Sequence, residues 1–301
     1  MGRLVTSFSV LTLLAAPLLA GCAHREVAAP PSARPGGARP ARVAVVLGAG
    51  AAKGFAHIGV LKVLESNKVP IDMVVGTSVG SLVGSLYAYG YDAYRLQALS
   101  FTIEQGDIAD FTIPDNGFIK GEKLEEFVNR SIRMTPIEKL KIPFFAVATD
   151  IRSRQEVVFA QGNTGTAVRA SCSIPGIFRP VTVGDRVYVD GGVVSPVAVD
   201  AAKARGADVV IAVDISGDGD GTAPQGTMQT ILTSLSVMYG RIAAVQLAHA
   251  DVVIRPRVAG IASGDFSKRH EAVLEGERAA NDAMPRIREI LEKLRGEGRL
   301  P

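Results

Sequence analysis

Two short apolar runs, "RVAVVL" (42–47) and "IDMVV" (71–75), each lead into a glycine-bearing turn and then a helical segment. That repetition constrains the fold more than any other feature of the chain. A continuous apolar run of this length suits a strand covered on both faces. Between the two runs, Phe55, Ile58, Leu61 and Leu64 recur at helical spacing until Asn67 and Pro70 end the segment. The second run passes through Gly76-Thr77-Ser78-Val79-Gly80 into a helix over 78–89, so rich in Gly, Ser and Ala that it must pack closely on a neighbour. Downstream, "PFFAVATD" (143–150), "EVVFA" (156–160) and "ADVVIAVDI" (207–215) read as strands, and "VTVGDRVYVD" (181–190) as a hairpin turning at Gly184-Asp185. Helices are expected at 196–205, 227–248, 267–280 and 284–295, with "ADVVIRP" (250–256) interrupting the last third. Strand and helix alternating from the start imply an α/β fold with a mainly parallel sheet and helices on both faces.

With 301 residues, 47% hydrophobic and 21% charged, the chain can bury one large core, expected over 42–301. A scattered net charge of +3 argues against a nucleic-acid partner. The N-terminus reads differently: Arg3, an apolar stretch from Val10 to Ala20, then small residues. This predicts a signal peptide over 1–21, since the apolar stretch is too short to span a bilayer. Its end, Leu19-Ala20-Gly21-Cys22, resembles the lipobox of bacterial lipoproteins. The resemblance implies acylation of Cys22, whose lipid chains would anchor the protein stably in a membrane. Ala23 after the cysteine points to the outer membrane of the cell envelope, facing the periplasm. Residues 22–41, rich in Pro, Ala, Gly and Arg, are expected to form a tether. Cys172 is then the one remaining cysteine, which leaves no disulfide and no paired-cysteine metal site.

Gly76-Thr77-Ser78-Val79-Gly80 has the G-x-S-x-G form between a predicted strand and helix, the context in which a serine Oγ projects from a strained turn. A tight strand-to-helix turn explains the pentapeptide equally well, so its neighbours must decide. After the first strand, Gly48 to Gly54 lack bulky side chains apart from Lys53, and their backbone N–H groups can hold an anion. A dinucleotide pyrophosphate would need glycine where Lys53 stands and an acid ending the second strand, whose one acid, Asp72, lies at its start. The oxyanion of an acyl-transfer intermediate fits better. Adjacent parallel strands bring this loop and Ser78 face to face across about 5 Å.

Ser78 then needs a base. His24 falls in the tether, and His57 reads as a local packing residue. His249 or His270 would complete a Ser-His-Asp order, yet that fold places its nucleophile after a later strand. Asp190-Gly191-Gly192 ends a predicted strand, and a carboxylate beside unobstructed backbone can take the proton directly. "DISGDGDGTAP" (214–224) lacks the glutamate that a calcium loop requires at its twelfth position. Residues 100–120, with Phe101, Ile103, Ile108, Phe111, Ile113 and Phe118, either rim an acyl pocket or form plain core.

The stretches "LGAGAAKGFAHIGVL" (47–61), "GTSVGS" (76–81), "ATD" (148–150), "ASCSIPGIFRPV" (170–181) and "VDGG" (189–192) together resemble the patatin-like phospholipase family, particularly bacterial members related to the catalytic domain of neuropathy target esterase. The resemblance implies a three-layer α/β/α sandwich and hydrolysis of acyl esters in membrane lipids by a Ser-Asp dyad, without metal or cofactor. Carried onto this chain, Ser78 is the nucleophile and Asp190 the base. Gly76, Gly80, Gly191 and Gly192 support them, and Gly50, Ala51, Ala52, Lys53 and Gly54 form the oxyanion loop. Where the family often has three glycines, this chain has Ala49-Gly50-Ala51, and alanine's preference for negative φ predicts a narrower hole. A catalytically silent lipid-binding lipoprotein is the non-enzyme alternative.

Overall fold

A computed structural model describes residues 39–112, 117–216 and 223–300. The expected signal peptide, Cys22, His24, most of the tether, Ile113 and the middle of the 214–224 loop lie outside them. Eight strands form one sheet: β1 (Val43–Leu47), β2 (Met73–Thr77), β3 (Phe144–Asp150), β4 (Gln155–Phe159), β5 (Val181–Val183), β6 (Arg186–Asp190), β7 (Val209–Val213) and β8 (Val252–Ile254). Their order is β5-β6-β3-β2-β1-β7-β8, with β4 also paired to β3. β3, β2, β1, β7 and β8 run parallel, while β4 and β6 lie antiparallel to β3.

The helices are α1 (Phe55–Ser66), α2 (Val79–Tyr89), α3 (Ala93–Thr102), the single turn α4 (Gln105–Ile108), α5 (Glu122–Ser131), α6 (Thr164–Ser171), α7 (Val199–Ala204), α8 (Thr227–Leu247) and α9 (Arg269–Gly296). The central strands alternate their side chains between two cores, as period-two geometry requires. Val43, Val45 and Leu47 of β1 pack with Leu61 of α1 and Ile287 of α9. Ala44 and Val46 face the other way, toward Val199 of α7 and Ala243 and Leu247 of α8. That division makes the three layers expected from the sequence.

Two features differ from the periodicity reading. Three further helices stand at 93–102, 122–131 and 164–171; in 122–131, Leu124, Phe127 and Val128 recur at helical spacing and are buried. In α6 the composition "TGTAVRAS" favours a helix poorly, and the Asn163 side chain caps it by accepting from Thr166 N at 2.9 Å. In addition, the two expected C-terminal helices are one. α9 runs through 281–283 and tolerates Pro285 because Gly276, Ala280, Met284, Ile287 and Leu291 continue a single buried stripe.

Candidate active site

The edge of β3 brings Ser78 and Asp190 together. Val74–Thr77 of β2 pair with Phe144–Val147, and β4 occupies the opposite edge from Ala146 onward. β6 overlaps β4 along Ala148–Asp150, so it must lie on the same edge as β2. Thr77 sits across from Val147 and Asp190 across from Ala148. The C-terminal ends of β2 and β6 therefore abut at consecutive positions, one running out of the sheet toward Ser78 and the other stopping at Asp190.

Ser78 is buried and holds φ 55°, ψ −127°, a conformation costing about 1–3 kcal/mol in a residue with a side chain. The surroundings hold it there. Its N–H donates to Ser171 Oγ at 2.9 Å, and that hydroxyl donates in turn to the Val147 carbonyl at 2.6 Å. Its carbonyl accepts from Ser81 N at 2.8 Å and Ser81 Oγ at 2.7 Å, starting α2. The flanking glycines are required by close approach. An added Cβ on Gly80 would lie 2.0 Å from the Leu47 carbonyl oxygen, and one on Gly76 would lie 2.5 Å from that of Gly80.

Asp190 is fully buried. Its N–H donates to the Ser173 carbonyl at 2.8 Å, its own carbonyl accepts from Thr149 Oγ1 at 2.9 Å, and Oδ1 accepts from Gly192 N at 2.7 Å. Oδ2 has no hydrogen-bond partner. Burial pushes the carboxyl up to about 7, against the opposing pull of Ser78, Gly192 and Tyr239. A carboxylate with that pKa is suited to exchange protons at neutral pH. Gly191 backs onto β3, where a Cβ would come within 2.2 Å of the Val147 carbonyl, and Gly192 lies against the ring of Tyr239.

The loop after β1 has a narrower set of donors than expected. Gly48 N and Ala49 N donate to the carbonyls of Val213 and Pro196. Ala52 N is occupied by the Ser263 carbonyl at 3.1 Å, and Lys53 N by that of Gly50 at 3.1 Å. Among the described residues, this leaves Gly50 and Ala51 as the N–H groups without an acceptor. Ala52 is thus corrected from oxyanion donor to structural tie. The preference of alanine for negative φ does not prevail either: Ala51 holds φ 50°, the conformation that glycine would supply freely. Gly54 abuts Val79 at the start of α2, fixing the loop against Ser78. Buried Lys53 donates from Nζ to the Ser216 carbonyl at 3.1 Å, joining the loop to the exit of β7.

Among the described residues, no histidine is placed to serve Ser78. His57 donates from Nε2 to the Gly48 carbonyl at 2.9 Å, and burial pushes it down to about 4, keeping it neutral. It braces the glycine loop. His249 is exposed and pairs with Asp200 Oδ1 at 2.7 Å, while the His270 ring lies 6.3 Å from that of Phe101. Neither lines the cavities at Ser78.

An apolar cavity of about 240 Å³ opens beside Ser78, walled by Leu82 and Leu86 of α2, Leu96 of α3, Phe127 of α5, and Ile174 and Phe178. The described residues within 100–120 divide between two roles: Ile103, Ile108 and Ile119 line it, while Phe101, Phe111 and Phe118 are exposed. Cys172 stands in the same wall as a buried free thiol that burial pushes far toward its protonated form. A smaller cavity of about 40 Å³ lies against Ser78, Gly50, Ala51, Lys53 and Tyr239. Tyr239, Ser171 and the Ser173 carbonyl had no assigned role in the sequence reading. The two serines lay within the quoted "ASCS", but nothing in that string shows that they hold Ser78 and Asp190.

A family model described as patatin-like phospholipase matches residues 45–203. An uncharacterised NTE family protein of Mycobacterium bovis is 36% identical over 197 residues, covering 65% of this chain and 55% of that protein. Patatin-like phospholipase domain-containing protein 6 of Homo sapiens is 36% identical over 181 residues, 58% of this chain and 13% of its own. Lysophospholipase NTE1 of Candida glabrata is 34% identical over 186 residues, 60% of this chain and 11% of its own. The chain thus spans about half the length of the mycobacterial relative and far less of the other two. In fold, it resembles VipD of Legionella pneumophila, with a TM-score of 0.55 at 13% identity over 84% of this chain and 68% of that one. By the match over residues 45–203, the chain belongs to the patatin-like phospholipase family.

Proposed function

We propose that the protein is a lipid acyl hydrolase, a serine esterase or phospholipase A that works through Ser78 and Asp190. The observation that carries this reading is the abutment of β2 and β6 on β3, which delivers a strained serine and a buried carboxylate to the same point beside an acyl-sized apolar cavity. As Ser78 Oγ attacks the ester carbonyl carbon, Asp190 takes its proton. The N–H groups of Gly50 and Ala51 receive the negative charge forming on the carbonyl oxygen. The carbon–oxygen bond to the alcohol then breaks, Asp190 returns the proton to that alcohol, and the acyl chain stays on Ser78 in the cavity. Water, deprotonated by Asp190, attacks the acyl-enzyme; the bond from the acyl carbon to Ser78 Oγ breaks, Asp190 returns the proton to Oγ, and the fatty acid leaves.

The relatives, by name a phospholipase-domain protein and a lysophospholipase, favour membrane lipids as substrates. Acylated Cys22 would hold the domain at the outer membrane, facing the periplasm, within reach of those lipids. Mass analysis of the mature chain tests the anchor through a diacylglyceryl adduct on Cys22. For the activity, the wild-type chain should release fatty acid from lysophospholipid vesicles, and Ser78→Ala and Asp190→Asn should each lose at least about a thousandfold in rate. Movement of lipid between vesicles with no fatty acid formed would contradict hydrolysis and favour a lipid-binding role.

A further inference from the structure

Tyr239 lies on α8, beyond residues 45–203 that match the family model, yet it is more than nine-tenths buried beside the proposed base. Its ring covers Gly192, where an added Cβ would come within 2.4 Å of it. That contact places the phenol next to the turn whose N–H already holds Asp190 Oδ1. The Tyr239 hydroxyl and Asp190 Oδ2 are both buried; they are near enough to shift each other's ionisation, yet neither makes a hydrogen bond of ordinary geometry. A buried hydroxyl and a buried carboxylate oxygen left unpartnered side by side each carry a desolvation cost that one shared proton would remove.

We propose that Tyr239 is a positioning residue for the base: its hydroxyl donates to Asp190 Oδ2, holding that carboxylate ionised and aimed at Ser78. This inference rests on the Ser78–Asp190 reading above. A carboxylate oxygen accepts through two lone pairs, so Oδ2 can receive the Tyr239 proton and still take that of Ser78. The distance closes in the reacting complex, as catalytic hydrogen bonds often do when substrate excludes water. Burial and the negative charge of Asp190 both hold Tyr239 in its protonated, donating form. The titratable groups facing Asp190 are few: Tyr239 on α8 and the Cys172 thiol after α6, with the Ser78 hydroxyl beside them. Cys172 stays neutral, so Tyr239 joins Ser78 and Gly192 N–H as a donor that favours the ionised form of Asp190. In pairing the base with a residue from α8, the structure extends the site beyond the matched segment.

The test is the rate at which a fluorophosphonate labels the full chain between about pH 5 and 9, for wild type, Tyr239→Phe, Asp190→Asn and Ser78→Ala. Phenylalanine keeps the ring on Gly192 and removes only the hydroxyl. Tyr239→Phe should move the acidic limb of labelling up by about one pH unit, with the alkaline plateau falling less than the rate near neutrality. Its thermal midpoint should stay close to wild type. If Asp190→Asn is inert while Tyr239→Phe keeps the wild-type pH profile, or loses rate equally at every pH, the Tyr239 role is overturned and the dyad stands. If Asp190→Asn labels like wild type, both fall together.

Discussion

Asp190 carries a chemistry that its burial decides. With its carboxyl raised from 3.8 to about 7, the base is half ionised near neutrality, so kcat/KM should approach a tenfold fall per pH unit below pH 7. The stability consequence has the opposite sense. Below pH 4 the group is neutral in both the folded and the unfolded chain. Between 4 and 7 only the unfolded chain ionises, so the contribution of Asp190 to stability is present at low pH and lost as pH rises through about 7. Asp190→Asn should therefore inactivate the protein yet raise its unfolding free energy by roughly 2–4 kcal/mol at pH 8 and leave it unchanged at pH 4. Denaturant unfolding at both values measures this. At Ser171, alanine removes the hydroxyl that joins Ser78 N–H to the Val147 carbonyl. Ser171→Ala should cost about 1–3 kcal/mol in stability and lower kcat more than it raises KM, because the strained serine loses its brace.

At the scale of elements, α2 serves both chemistry and substrate. Its first residues follow Ser78, and its Leu82 and Leu86 wall the cavity about one and two turns on. Leu86→Trp should fill that space and lower kcat/KM for long-chain acyl esters by about tenfold or more while sparing short ones, read from a chain-length series. On the same side of the sheet, α1 and α9 meet through Gly59 and Gly276, where added Cβ atoms would lie 2.0 Å from the Val273 and Ala56 carbonyl oxygens. Gly276→Ala should force those helices apart and cost about 1–3 kcal/mol without changing the pH profile of activity. Most strands were legible because they are short runs rich in apolar residues, several of them beside a glycine or proline. The helix α6 was not, because it is held by a cap and by packing rather than by its own propensity. The continuity of α9 was hidden because the polar stretch Asn281-Asp282 and Pro285 read as punctuation, while the buried stripe that overrides them shows only in three dimensions.

Across the whole molecule, one topological arrangement brings residues 112 positions apart in the chain to one place: β2 and β6 end against each other on a shared edge of β3. The sequence offered G-x-S-x-G, the glycine loop and Asp190-Gly191-Gly192 as separate strings, and the parallel pairing of β1 with β2 that sets the first two face to face was predictable from strand order. The antiparallel return of β6 was not, since nothing in "RVYVD" says which edge of which strand it will join. Nor could the sequence show which loop N–H groups are already spent on protein carbonyls, or that a tyrosine nearly fifty residues past Asp190 would lie beside it. The central claim, that this meeting point is a working nucleophile and base, is tested most directly by intact and peptide mass analysis after exposure to a fluorophosphonate. The account predicts one adduct, on Ser78, absent from Ser78→Ala and nearly absent from Asp190→Asn. An unmodified chain after long exposure, or an adduct on another residue that survives Ser78→Ala, would contradict it.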